Sequence, residues 1–265
     1  MPPAPTALTI AGFDPSAGAG VTADLAVFAA HNLFGISAIT AITIQNTLGV
    51  QRVEPIDPAI LTQTLKALEA DLPPAGIKIG MLADEPQAAA VIAYLKGLER
   101  KKIVVLDPVL VSSSGANLLS EQGRELMQRE LLPLVHVITP NAAELATLTN
   151  LPCQTDDEIR AAARALALQY PALSILCTGG DRLKPDDILL HQGIFTTLPG
   201  DHIETTATHG TGCALSSALL CNLIHGIPMA EAAAKAKLYV TQAMMRATPR
   251  GGGKGPLNLL WNRKT

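Results

Sequence analysis

Thr208-His209-Gly210-Thr211-Gly212-Cys213 stands near the end of the 265-residue sequence, and an alanine- and leucine-rich helical pattern follows at once. Gly210, Thr211 and Gly212 put several unpaired backbone N–H groups at a helix start, where the helix dipole favours negative charge. Their small size lets an anion approach the backbone. Such a nest stabilises a migrating phosphoryl group without a Walker-type lysine. Cys213 stands beside it, and the same field is expected to lower its pKa, so that the thiolate takes a proton from a substrate hydroxyl. The bland alternative is a small buried hydrophobe packed with Ser217 and Leu220 on one helical face. The loop context favours the reactive reading.

A second glycine-rich loop, Gly12-Phe13-Asp14-Pro15-Ser16-Ala17-Gly18-Ala19-Gly20, lies near the start. Gly18, Gly20 and Ala23 imitate the dinucleotide pattern G-x-G-x-x-G/A. That pattern requires an acidic residue at the end of the next strand to hold a ribose. The next strand ends in Gln45-Asn46, and the nearest carboxylate is Glu54, so a dehydrogenase is rejected. No G-x-x-x-x-G-K-[ST] occurs either. A simple strand-to-helix turn is the other reading. Asp14 favours a site, as an acid beside such a loop accepts hydrogen bonds from a small polar substrate.

The elements that must carry these loops alternate between strand-like and helix-like. Residues 7–12 form a short apolar strand, 23–33 a helix, and 36–45 a β-branched run. Helices are expected over 58–71 and 85–99, and strands at 76–81, 102–109, 134–141 and 173–180. A hairpin turning at His191-Gln192-Gly193 and two closing helices, from about Thr211 and Pro228, complete the chain. Continuous apolar strands between helices indicate a parallel sheet covered on both faces, an α/β architecture in one domain. Ligands in such sheets sit beyond the carboxyl ends of the strands. Asp14, Gln45, Lys78 with Met81, Asp107, Asn141 with Glu144, and Gly179-Gly180 all fall there.

The bulk numbers bound the function. The chain is 48% apolar and 16% charged, with a formal net charge of −3, which gives no electrostatic reason for a nucleic-acid or membrane partner. No apolar run approaches the roughly 20 residues needed to span a bilayer, and the first residues lack the pattern of a signal peptide. Four cysteines without metal-ligand spacing or a dense disulfide pattern suit a reducing cytoplasm.

The segments ALTIAGFDPSAGAGVTADL, AITIQNTLGV, IKIGML, VVLDPV, VITPNAAE, TGG and THGTGCALSSAL occur in this order. Together they resemble the hydroxymethylpyrimidine/phosphomethylpyrimidine kinases of thiamine synthesis, within the ribokinase-like superfamily. The resemblance covers nearly the whole chain. It implies a three-layer α/β/α ribokinase-like fold with a mostly parallel central sheet, and ATP-dependent phosphorylation of 4-amino-5-hydroxymethyl-2-methylpyrimidine and of its monophosphate. Gln45 is then expected to recognise the aminopyrimidine, since an amide both donates and accepts. Gly12, Asp14, Ala19, Met81 and Val109 line the same pocket. Gly210, Thr211 and Gly212 form the anion hole and Cys213 is the base. Asn141, Glu144, Thr178, Gly180 and Lys237 fall in the nucleotide region. Asp107 and Glu144 match positions of the Mg²⁺ and phosphate region, directly or through water. Members are commonly dimeric, so a homodimer is the expectation.

Structural readings stand beside these. Asp107 before Pro108 also suits a turn cap, Asn141 with Glu144 suits a helix capping box, and Lys237 by default is a solvated charge. Two departures bear on specificity. Thr178 stands where many relatives carry a lysine facing the nucleotide phosphates, and Ser113 stands where another lysine is common. These departures leave room for a pyridoxal kinase of the same fold, or for a pyrimidine-binding protein without catalysis. Gln45 argues against the first and the intact loop around Cys213 against the second.

Overall fold

The computed structural model describes residues 3–111, 115, 117–180, 182 and 184–263. The strands are β1 (Thr6–Phe13), β2 (Phe34–Asn46), β3 (Gly49–Pro55), β4 (Gly76–Ile79), β5 (Ile103–Leu106), β6 (Val137–Ile138), β7 (Ser174–Cys177), β8 (Asp187–His191) and β9 (Ile194–Leu198). The helices are α1 (Gly20–Ala30), α2 (Pro58–Asp71), α3 (Glu85–Lys96), α4 (Glu121–Leu126), α5 (Ala142–Thr149), α6 (Asp156–Gln169), α7 (Thr211–Ile224) and α8 (Met229–Met245).

Among the described residues the nine strands form one sheet in the order β3-β2-β1-β4-β5-β6-β7-β8-β9. From β2 through β7 neighbours run parallel. The pairs β2/β3, β7/β8 and β8/β9 are antiparallel. The chain moves from β1 to β2 on one side and returns to β4 on the other. This is the reversal of strand order at which open α/β sheets bind ligands.

Strand β5 shows why the central runs are wholly apolar. Val104 and Leu106 join the core beneath α2, α3, α5 and α6, while Val105 joins the opposite core with α1, α7 and α8. Successive side chains point to opposite faces, and both faces are covered, so neither alternate position can be polar. The result is the expected α/β/α sandwich.

Local signals set several ends. Asp57 accepts from Ala59 N and Asp84 from Gln87 N, each just before a helix whose first turn contains proline. Thr155 with Glu158 forms a capping box on α6. The hairpin turns on Gln192 and Gly193, both at positive φ, while His191 ends β8. A two-residue turn of that hand matches the strand twist. Helix α1 begins at Gly20, three residues before the apolar pattern suggests. Strand β3 is an addition, because its polar, largely exposed sequence carries no core alternation. Among the described residues no helix is long and apolar enough to cross a membrane.

Candidate active site

The two glycine loops lie against each other. The first wraps around the Asp14 carboxylate. One oxygen accepts from Ser16 N at 2.8 Å and Ser16 Oγ at 2.7 Å; the other accepts from Gly18 N at 3.2 Å and Ala19 N at 2.8 Å, and faces His209 Nε2 at 2.8 Å. Burial would raise this acid's pKa, but hydrogen bonds from His209 and Ser16, with the His209 charge, hold it below the ordinary carboxylate range. Asp14 is only 1% exposed, and its oxygens are occupied by the loop itself. It shapes the site rather than offering a free acceptor to a substrate. His209 has no role in the sequence reading, although it lies inside the THGTG run.

Gly210 shows how tightly the loops meet. Its φ is +84°, and a Cβ there would fall 1.9 Å from Gly18 O. Both conditions call for glycine. Gly210 is the N-cap of α7 and supplies no side-chain cap, so the first N–H groups of the helix are left for another acceptor.

Beside this nest lies a buried polar knot. The Asp107 carboxylate follows β5 and is anchored by Asp107 N donating to Ile79 O at 2.8 Å. It accepts from Ser216 Oγ at 3.3 Å, and the Cys213 side chain lies near enough to affect its titration. A Cβ on Gly212 would be 3.7 Å from its Oδ2, so carboxylate and nest share one space. Behind them, fully buried Lys78 pairs with Asp24 at 2.9 Å. Asp24 also accepts from Thr9 Oγ1 at 2.6 Å and Ser217 Oγ at 2.8 Å. The knot therefore ties β1, β4, α1 and α7 together.

The Cys213 residue keeps part of its surface exposed while its sulfur is buried near Lys78, Asp107 and Asp24, whereas Ser217 and Leu220 are fully buried. The thiol thus has polar neighbours rather than a hydrocarbon seat. Its expected pKa depression is not found. Burial pushes the thiol up to about 12, against the lowering pull of Lys78, and the Asp107 and Asp24 charges add to the rise. Desolvation outweighs the helix field in the ligand-free protein, so the sulfur is protonated near neutrality. Burial also raises the pKa of Asp107, in spite of Lys78.

On the other side of the crevice, Gly12 and Met81 touch; a Cβ on Gly12 would lie 2.4 Å from Met81 Cε. Met81 packs with Ala41, Leu118 and Val109. Thr43 Oγ1 donates to Phe13 O at 2.9 Å, joining the end of β2 to the first loop. Gln45 follows on that strand beside a bulge. It is partly buried, and its amide has no partner among the described residues. Ala19 sits at the N-cap of α1, on the lip between the two groups.

The third group extends along β6 to β8. Asn141 and Glu144 form a capping box on α5, with both reciprocal hydrogen bonds at 2.9 Å. Glu144 also accepts from Leu110 N at 3.5 Å, which draws α5 toward the segment after Asp107. Thr178 N donates to Pro140 O at 2.9 Å, and Gly180 is open to solvent. Lys237 is not the solvated charge that its helical position suggests. Its side chain is 15% exposed, pairs with Asp187 at 2.9 Å and donates to Pro185 O at 2.7 Å. Asp187 in turn accepts from Gly179 N at 2.9 Å. Lys237 therefore pins the loop that carries Gly179 and Gly180. The signal missed in sequence is Asp187 at the start of a core strand. Ser113 lies outside the described residues.

The sequence-predicted residues thus lie at successive carboxyl ends from β2 to β7, with Cys213 and the nest above β5 and Lys237 at the β8 end. At the usual strand spacing this row is roughly 24 Å long, room for two ligands end to end. Among the described residues no cluster of three His, Cys, Asp or Glu side chains could by itself hold a metal ion.

The sequence profile of the phosphomethylpyrimidine kinase family matches residues 14–258. The hydroxymethylpyrimidine/phosphomethylpyrimidine kinase of Haemophilus influenzae is 39% identical over 257 residues, 95% of either chain. The thiamine biosynthesis bifunctional protein ThiED of Geobacter sulfurreducens is 38% identical over 97% of this chain, which spans only 52% of that longer protein. Among solved structures, phosphomethylpyrimidine kinase from Clostridium difficile 630 superposes with a TM-score of 0.79 at 35% identity, over 90% of this chain and 99% of that one. Pyridoxal kinase from Staphylococcus aureus in complex with ADP reaches 0.88 at 29% identity, over 98% and 95%. The profile match runs from Asp14, inside the first glycine loop, past the second, and the chain belongs to the phosphomethylpyrimidine kinase family.

Proposed function

We propose that the protein transfers the γ-phosphoryl group of ATP to the hydroxymethyl oxygen of 4-amino-5-hydroxymethyl-2-methylpyrimidine, and then phosphorylates the monophosphate to the diphosphate. The observation that carries this reading is the convergence of the unpaired Gln45 amide, the uncapped start of α7 and Cys213 at one end of one sheet, in a member of this kinase family.

Gln45 pairs with the aminopyrimidine edge, and Gly12, Ala19, Met81 and Val109 wall the ring. Asp14 and His209 hold the two glycine loops together, so the ring and the nest keep a fixed offset. The hydroxyl oxygen attacks the γ-phosphorus as the bond to the β–γ bridging oxygen breaks and ADP leaves. The N–H groups of residues 211–213, presented by Gly210, hold the charge on the moving group. Cys213 takes the hydroxyl proton. Because burial keeps its thiol protonated, it does so as a relay, passing its own proton to the adjacent Asp107 carboxylate, whose pKa burial raises.

Asn141, Thr178 and Gly180 border the nucleotide, and Lys237 holds their loop in place. Magnesium fits this site in one way only. The Asp107 and Glu144 oxygens are hard donors, but both carboxylates already accept hydrogen bonds from the chain, so an ion carried on the nucleotide phosphates would reach them through water. When bound, it neutralises phosphate charge. A homodimer and a cytoplasmic setting complete the reading by analogy with the family.

Thr178 and the likeness to a pyridoxal kinase favour a second reading, phosphorylation of pyridoxal; the Gln45 amide, which matches an aminopyrimidine edge, speaks against it. Mass spectrometry of products from the pyrimidine alcohol with MgATP separates the two. Mono- and diphosphorylated pyrimidine are expected. Turnover of pyridoxal with an untouched pyrimidine would overturn the assignment.

A further inference from the structure

A substrate that already bears a phosphate needs a counter-charge on the pyrimidine side of the crevice. The basic groups of the buried machinery are taken: Lys78 pairs with Asp24 and Lys237 with Asp187, and the His209 ring is held against Asp14. The segment Arg250-Gly251-Gly252-Gly253-Lys254-Gly255 runs against both halves of the site. A Cβ on Gly251 would lie 2.2 Å from Thr47 Oγ1, and one on Gly253 only 2.1 Å from Thr47 O. Thr47 is two residues beyond Gln45. At the other end, Gly255 N donates to Thr206 O at 2.8 Å and Gly255 O accepts from His209 N at 3.0 Å. His209 directly precedes the nest. The loop backbone is therefore clamped between the Gln45 turn and the approach to α7. Arg250 and Lys254 are exposed there, with no side-chain partner among the described residues.

We propose that this glycine loop selects the phosphorylated substrate: its backbone sets the offset between Gln45 and the nest, and Arg250 and Lys254 supply the counter-charge for the phosphate already present. The inference rests on the kinase reading above and assigns residues to its second transfer. In that transfer a phosphate oxygen of the substrate bonds to the γ-phosphorus of ATP while the bond to the β–γ bridging oxygen breaks and ADP leaves. The loop cations touch the phosphate that supplies the attacking oxygen, so their effect belongs to one of the two substrates.

The test is steady-state kinetics on the full chain with the pyrimidine alcohol and with its monophosphate as separate substrates. In Arg250→Ala/Lys254→Ala, KM for the monophosphate should rise about tenfold more than KM for the alcohol, the scale of one charge-assisted hydrogen bond. Lys254→Glu, a single exposed change, should widen that gap. Added salt should weaken monophosphate binding in the wild type and much less in the double variant. Equal shifts for the two substrates, or none, would overturn the proposal and mark the loop as merely structural. A wild-type protein that phosphorylates the alcohol alone would sink this inference and leave the kinase reading standing. One that phosphorylates neither would remove both.

Discussion

Replacing Lys78 with Met takes the cation out of the buried knot beneath α7 and leaves the Asp24 carboxylate behind. Both side chains are fully buried, so water does not replace the lost partner. Breaking such a pair costs about 3–5 kcal/mol. Asp24 keeps hydroxyl donors from Thr9 and Ser217, which sets the expectation at the lower end, about 3 kcal/mol. For a chain of this size that is a fall in Tm of roughly 6–12 °C. Asp24→Asn/Lys78→Met removes both charges and the desolvation penalty with them, so most of the lost stability should return. Turnover should not return, because Lys78 also presents its charge to Asp107 and Cys213. Thermal melts and kcat measured on the same preparations separate the two effects. A single variant that melts within about 2 °C of wild type would refute the buried-charge argument. A double variant with wild-type kcat would refute the electrostatic link to the site.

Three further outcomes are expected. Cys213→Ala should lower kcat for the alcohol by about 10²–10⁴-fold with little change in KM, whereas Cys213→Ser, still able to relay a proton, should retain intermediate activity; equal rates for the two variants would end the relay. The same alanine change should harm the second transfer less, since a phosphate monoester is already mostly deprotonated at neutral pH. Gln45→Ala should raise KM for the pyrimidine about tenfold and leave KM for ATP nearly unchanged, as read by coupled ADP release. Asp14 is held below its unfolded pKa of about 3.9, so its contribution to stability is full above that value and is lost as pH falls through the folded pKa. The stability gap between wild type and Asp14→Asn should therefore shrink on acidification in denaturant melts; a gap that grows toward low pH would contradict the assignment.

Much of the architecture is legible in the sequence because it depends on short-range pattern. The wholly apolar run Val104-Val105-Leu106 announces a strand covered on both faces. Asp57 before Pro58 and Asn141 three residues before Glu144 announce helix starts, and Gly210-Thr211-Gly212 announces an unpaired helix N-terminus. Gln45, Met81, Asp107 and Asn141 could be placed at strand ends for the same reason, and the family motifs follow that order. Strand β3 was hidden because an exposed antiparallel ribbon needs no core alternation.

What residues do to one another across the chain was decided only by the fold. Asp14 meets His209, Asp24 meets Lys78, and Asp187 meets Lys237 over separations that carry no local signal. The clearest case is Cys213. A helix start alone argues for a low thiol pKa, yet the sulfur is withdrawn from water beside Asp107 and within reach of the Asp24 charge, and it is driven the other way. The sequence by itself determined which groups could reach the site, since strand and helix periodicity are local. Tertiary structure decided their protonation and pairing, because desolvation and charge–charge energies depend on surroundings assembled from distant parts of the chain.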